Sequence, residues 1–144
     1  MILQRQGYCD ECQLAVIAML AGKTSKEVVM EARKLTNYMT WTRYITITDV
    51  AKIQLTTETL CYQYGLPPLT YSHTTTTSIN NKPDLTGKGQ ITIWWVDDTA
   101  HAMAFEDGLI YDPNGNTPVT WEVWSTVNVK LYHKSIKRTF TQRI

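Results

Sequence analysis

The sequence predicts an α+β fold in which N-terminal helices pack on a mostly antiparallel sheet. Near the N-terminus, apolar residues recur at three- and four-residue steps in a strongly apolar run, which is typical of a helix. Beyond residue 90, short runs rich in β-branched and aromatic residues are separated by turn residues, which favours strands joined by hairpins. The chain has 144 residues, of which 43% are hydrophobic and 19% charged. Because this is enough for one good core, we expect residues 1–144 to form a single domain.

Three helices are predicted in the first half of the chain. The first spans residues 12–21 and ends at Gly22, since glycine commonly stops a helix. The second begins at Thr24, where the sequence T-S-K-E forms a capping box. The third starts after Thr48, whose hydroxyl can cap it, and ends at Gly65 ahead of two prolines.

Strands are predicted where polar and apolar residues alternate, with a short turn at residues 121–124. In chain order they are residues 69–73, 91–96, 101–106, 109–112, 127–132 and 138–143. The last strand alternates charged and apolar residues, so we expect it at the edge of the sheet rather than on a nucleic-acid surface. Between the third and fourth strands, Asp107-Gly108 is a strong two-residue hairpin signal, because both turn positions need positive φ.

The register of this hairpin brings polar side chains together. If the two-residue turn is right, counting outward along the strands places His101 opposite Asn114, with Asp112 two residues before it. Residues two apart share a face, so all three side chains point the same way. Either Asp112 or Asn114 could then orient the His101 imidazole, and the pairing alone does not choose between them.

Cys12 lies in the first turn of the first predicted helix. The free backbone N–H groups and the helix dipole there favour a thiolate, which is the nucleophilic form of cysteine. Acyl transfer also needs a proton carrier and donors for the developing oxyanion. His101 is the best candidate for the proton carrier, and the Gln6 side chain and the Cys12 N–H can supply the two donors.

These residues resemble the papain-like cysteine peptidases, and most closely the bacterial branch that cleaves double-glycine leader peptides, with its stand-alone bacterial and phage relatives. The similarity lies in Q-x5-C ahead of a small and apolar helix, in the segment GKTSKEV, and in HAMAF followed by IYDPNG. The resemblance implies a papain-like fold and a site that needs no cofactor. It also implies four site residues: Gln6 as an oxyanion donor, Cys12 as the nucleophile, His101 as the base and Asp112 as the third member. One departure is Gln13, because the family often has glycine directly after the nucleophile.

A metal or redox site is the alternative for the cysteines. Cys9 and Cys12 form a C-x-x-C, which can be half of a zinc site or a redox pair. Zinc needs four ligands, usually in two close pairs, but Cys61 is isolated and the histidines at 73, 101 and 133 form no close pair. No strand precedes the motif as in a thioredoxin-like unit, so we expect neither a metal nor a redox role.

Composition excludes several other classes of protein. The formal net charge is +1 and the sequence has no basic stripe, so we expect no nucleic-acid partner. No stretch approaches the length of a membrane span, and the N-terminus lacks a secretion signal, so we expect no membrane partner. The three cysteines do not make a secreted disulfide framework. We therefore expect a cytoplasmic protein with a free thiolate.

Together these patterns predict a thiol hydrolase that cleaves a peptide or isopeptide bond in a protein or peptide substrate. Only eleven residues precede Cys12, so we expect no inhibitory pro-segment and hence narrow specificity, as in a bacterial or phage-encoded protease or deconjugase. Two other classes stay open. One is an inactive papain-like binding module, which Gln13 in place of glycine favours, and the other is an acyltransferase or deamidase with the same residues.

Overall fold

The computed structural model describes seven stretches of the chain, residues 1–7, 11–36, 47–66, 70–74, 82–97, 99–129 and 136–144. The residues of interest Cys9 and His133 lie outside them. Within these stretches the chain has four helices and one six-stranded sheet, which makes it an α+β protein. None of the helices in the described stretches combines the length and the apolar character that crossing a bilayer requires.

Three helices come first, as predicted, and a fourth lies between the last two strands. The helices are α1 (Cys12–Ala21), α2 (Ser25–Leu35), α3 (Ile47–Gln63) and α4 (Trp121–Val129). The strands are β1 (Thr70–Thr74), β2 (Lys88–Trp95), β3 (Ala100–Glu106), β4 (Leu109–Tyr111), β5 (Val119–Thr120) and β6 (Ile136–Arg143).

The helix boundaries follow the predicted signals closely. The helix α1 begins at Cys12 and ends at Gly22, whose φ of 68° is in the left-handed region that favours glycine. The predicted capping box of α2 is confirmed: the Thr24 hydroxyl accepts from the N–H of Glu27 at 3.2 Å, and the Glu27 carboxylate accepts from the N–H of Thr24 at 2.8 Å. The helix α3 begins one residue before Thr48, so Thr48 is not its capping residue.

The sheet has the strand order β1-β6-β2-β3-β4-β5, and all neighbouring strands in it are antiparallel. The prediction that the last strand lies at an edge was wrong, because β6 pairs with β1 on one side and with β2 on the other. Two of its charged residues, Arg138 and Arg143, have described contacts there. Arg143 forms an ion pair with Asp84 at 3.2 Å, and Arg138 lies against two aromatic rings.

The predicted hairpin between β3 and β4 is confirmed. Asp107 and Gly108 have φ values of 49° and 86°, and Glu106 pairs with Leu109. The paired register extends only to Tyr111, which lies opposite Ala104 on β3. The chain leaves the ladder there, so the segment after β4 is free to turn toward the helices.

The region after β5 differs from the prediction. A turn at residues 121–124 and a strand at 127–132 were expected, but α4 occupies residues 121–129. Trp121 and Trp124 are three residues apart, so on a helix they share one face, and their rings stack with centroids 5.5 Å apart. Both side chains are buried at 3% exposure. Burial of this pair against the sheet outweighs the strand propensity of the valines and tryptophans nearby.

The two faces of the sheet are covered by different helices. The face toward α4 holds large apolar residues, namely Ile91, Ile93, Met103, Phe105 and Ile110, which pack with Trp121, Trp124 and, from the segment before β2, Leu85. On the other face, residues Val16, Met19 and Leu20 of α1 pack on Ala102, Ala104 and Tyr111. The alanines of β3 are short, so α1 lies close against that strand. A third cluster joins α1 to α2 and α3, and the partly buried Cys61 packs at its margin.

Candidate active site

Cys12 occupies the first position of α1, where the helix meets β3. Its sulfur is contacted by the His101 side chain and by the backbone N–H groups of Ala102 and Gln13. Burial by itself would raise the pKa of the Cys12 thiol. The hydrogen bond and positive charge of His101, aided by the two N–H groups, outweigh burial and hold that pKa below its ordinary value.

His101 joins Cys12 to a buried carboxylate. Its Nε2 lies 2.7 Å from Oδ1 of Asp112, and the two side chains are only 15% and 11% exposed. Because Asp112 engages Nε2, the Nδ1 atom is the ring nitrogen left for the Cys12 sulfur. Burial lowers the pKa of His101, but its bonds and charge interactions with Asp112 and Cys12 raise that pKa to about 9. The arrangement therefore keeps His101 protonated at neutral pH and favours the thiolate form of Cys12 beside it.

Asp112 is held by three donors. Its Oδ1 accepts from His101 and also from the backbone N–H of Asn114 at 2.9 Å, and its Oδ2 accepts from the indole N–H of Trp124 at 2.9 Å. Burial by itself would raise the pKa of Asp112. The hydrogen bonds and the charge of His101 outweigh burial, so the pKa of Asp112 lies below its ordinary value. The carboxylate is therefore ionised and fixed in orientation.

The two candidates for the third member differ in the structure. The side chain of Asp112 reaches His101, whereas the side chain of Asn114 is exposed and its contact with Asp112 is through the backbone N–H. The predicted pairing of Asn114 with His101 does not form, because β4 ends at Tyr111 and the chain turns. In that turn the N–H of Gly115 donates to the carbonyl oxygen of Asp112 at 2.8 Å.

Trp124 is a site residue that the sequence analysis missed. Its indole N–H lies in the core and needs an acceptor, since buried tryptophan N–H groups are usually hydrogen-bonded. The three-residue spacing from Trp121 is the signal that could have placed it on a helix, but that segment was interpreted as a turn. With α4 in place, the donor lies directly behind the carboxylate that orients His101.

Gln6 lies beside the turn that carries Asp112. Its backbone N–H donates to the carbonyl oxygen of Pro113 at 3.1 Å, which joins the N-terminal segment to the residue after Asp112. This contact brings Gln6 to the same end of the sheet as the His101–Asp112 pair. Its role as an oxyanion donor stays a prediction.

Gln13, which follows Cys12, is paired with a residue of the sheet. Its side-chain amide donates to Gln90 at 2.7 Å and accepts from Gln90 at 3.0 Å. Gln90 is buried at 6% exposure and also donates to the Thr92 hydroxyl at 3.0 Å. The amide pair holds the Gln13 side chain against β2.

No family model, curated protein or solved structure matches this chain. Among the described residues, no group of three or more His, Cys, Asp or Glu side chains is placed to hold a metal ion. The arrangement of Cys12, His101 and Asp112 therefore has to be interpreted from its own geometry. That geometry can generate a nucleophilic thiolate, carry a proton and keep the proton carrier in one orientation.

Proposed function

We propose that this chain is a papain-like thiol hydrolase that cleaves a peptide or isopeptide bond. The observation that carries the proposal is the contact of the Cys12 thiol with an imidazole whose Nε2 lies 2.7 Å from a buried carboxylate. The direction of each pKa adds support, because a lowered cysteine pKa and a raised histidine pKa together favour the reactive ion pair.

The proposed reaction begins with attack of the Cys12 thiolate on the carbonyl carbon of the scissile bond. The carbon–sulfur bond forms while the carbonyl electron pair moves to oxygen, and the Cys12 N–H and the Gln6 amide hold that oxyanion. The His101 imidazolium then gives its proton to the leaving nitrogen as the carbon–nitrogen bond breaks, which leaves a thioester on Cys12. His101 next takes a proton from water, and the attack of that water releases the acid product and the thiolate. Throughout, Asp112 keeps the ring oriented.

Acyl transfer or deamidation by the same residues is the nearest alternative. Both share the thioester on Cys12, and only the acceptor or the attacked amide differs. The inactive binding module is the alternative from another class, and Gln13 in place of glycine was the feature in its favour. The pairing of Gln13 with Gln90 supports the enzyme instead, since the side chain is held on β2.

The decisive experiment measures where and how fast the chain is alkylated. We expect iodoacetamide at neutral pH to modify Cys12 much faster than Cys61, because burial and the nearby Glu58 raise the pKa of Cys61. Mass mapping identifies the modified residue, and Cys61→Ala serves as the matched control for Cys12→Ala. An electrophilic peptide or ubiquitin-like probe should then label the wild type and Cys61→Ala but not Cys12→Ala. Preferential labelling of Cys9, with turnover that survives Cys12→Ala, would refute the proposal.

A further inference from the structure

Arg138 is a partly buried cation without a described anionic partner. It lies on β6 in the interior of the sheet, with its guanidinium carbon 5.0 Å from the ring centroid of Trp94 and 4.9 Å from that of Phe140. Its Nε is buried, and among the described residues Arg138 has neither a hydrogen-bond partner for that atom nor an ion pair. Arg143 on the same strand differs, because it forms an ion pair with Asp84 at 3.2 Å.

This arrangement suits recognition of a carboxylate. An arginine that is removed from water is normally paired, since an uncompensated charge there is unfavourable. Aromatic rings against the guanidinium offset part of that cost and restrict its motion. The N–H groups of a guanidinium lie in its own plane as a rigid fork, which matches the two oxygens of a carboxylate.

The position of Arg138 relates it to the candidate active site. Arg138 is the register partner of Trp94, and Trp94 is the register partner of Ala100, which directly precedes His101. Adjacent strands are about 4.8 Å apart, so the Arg138 backbone lies about 10 Å from that of Ala100. An extended peptide advances about 3.3 Å per residue, so about three residues would span that distance.

We infer that the Arg138 guanidinium, packed against two aromatic rings, binds a carboxylate of the peptide substrate about three residues from the bond that Cys12 attacks. The inference rests on the proposed function and specifies its substrate class as an acidic peptide. The carboxylate belongs either to an aspartate or glutamate side chain or to a free C-terminus, and the two sources require different probes.

The test compares matched peptides on the full chain. The first arm uses peptidyl acyloxymethyl ketones that carry Glu or Gln at each position before the electrophile, and it measures the rate of Cys12 labelling. The second arm measures protection of Cys12 from iodoacetamide by neutral peptides with a free C-terminal acid or a carboxamide. We expect about a tenfold preference for the acid form in one arm, as a single charge-assisted pair contributes. Arg138→Gln should abolish that preference.

The controls separate this inference from the proposed function. Arg143→Gln should keep the preference, and iodoacetamide alone should alkylate Cys12 equally in both variants and the wild type. Equal rates for acid and neutral peptides in both arms, with Cys12 still reactive, overturn the carboxylate site alone, as does a preference that survives Arg138→Gln. A chain whose Cys12 reacts with none of the reagents overturns the proposed function. If circular dichroism shows that Arg138→Gln is unfolded, Arg138→Lys replaces it, with a preference reduced severalfold because lysine lacks the fork.

Discussion

The indole N–H of Trp124 and the carboxylate of Asp112 form a buried, charge-assisted hydrogen bond that can be isolated by substitution. Trp124→Phe keeps an aromatic ring but removes the donor that lies 2.9 Å from Oδ2 of Asp112. A hydrogen bond to a charged group contributes about 1.5–3 kcal/mol to the free energy of unfolding. The smaller ring also leaves a gap beside Trp121, which we expect to cost on the order of 1 kcal/mol more.

Asp112→Asn changes what the same indole meets. If the new amide oxygen faces His101 and the N–H of Asn114, the amide NH2 group faces the indole N–H, and two donors oppose each other. Trp124→Phe relieves that opposition, so in the Asp112→Asn background it should cost little beyond the gap. The two substitutions should therefore be coupled by about 1.5–3 kcal/mol, with the double variant more stable than additivity predicts.

Urea unfolding of the four proteins at neutral pH measures this coupling. Trp121→Phe is the matched control, because Trp121 stacks on Trp124 without bonding to Asp112, and its cost should add to that of Asp112→Asn. On any cleavable substrate, Asp112→Asn should lower kcat and leave KM nearly unchanged, since orientation of His101 matters in the transition state. Costs of Trp124→Phe that agree within about 0.5 kcal/mol in the two backgrounds would refute the view that the indole holds the carboxylate.

Three further outcomes follow from the contacts of the site. The alkylation rate of Cys12 should fall as the pH is lowered and the thiolate is protonated, with a midpoint below that of a free cysteine. Turnover should fall above about pH 9 as His101 loses its proton, and stopped-flow rates across the pH range check both limbs. Gln90→Leu should release the Gln13 side chain and slow the labelling of Cys12 by peptide probes, and the additional substitution Gln13→Gly should restore the labelling rate. An unaltered labelling rate in Gln90→Leu would contradict a role for the amide pair. Asn114→Ala should keep turnover near the wild-type value, because its contact is made by the backbone, and a loss larger than that of Asp112→Asn would reassign the third member.

Features that depend on the backbone conformation or the capping of a few neighbouring residues were predictable from sequence. The left-handed φ at Gly22 and the capping box at Thr24 set the ends of two helices, and the Asp107-Gly108 turn sets a hairpin register. Each of these signals acts within a few residues, so the rest of the chain need not be known. The hairpin register placed Asp112 and Asn114 on one face with His101, and it left the choice between them open.

Features that depend on distant partners were not predictable in the same way. The helix α4 forms because its two tryptophans are buried against β2, β3 and β4, and local strand propensity contains no information about that surface. The interior position of β6 depends on its pairing with β1. The alternation of charged and apolar residues along β6 contains no information about that partner strand. Trp124 was missed for the same reason, since its bond to Asp112 exists only once α4 is placed.

The candidate site itself depends on a strand that stops early. The strand β4 pairs with β3 no further than Ala104, so the first residues of β3 have no strand partner on that side. The backbone N–H of Ala102 is then free of the ladder and contacts the Cys12 sulfur instead. The same early end lets the chain turn at Asp112, so that its carboxylate reaches His101 from the side. A longer β4 would satisfy that N–H within the sheet and keep α1 from presenting its first residue there. The end of β4 at Tyr111 therefore lets Cys12, His101 and Asp112 meet at one strand edge.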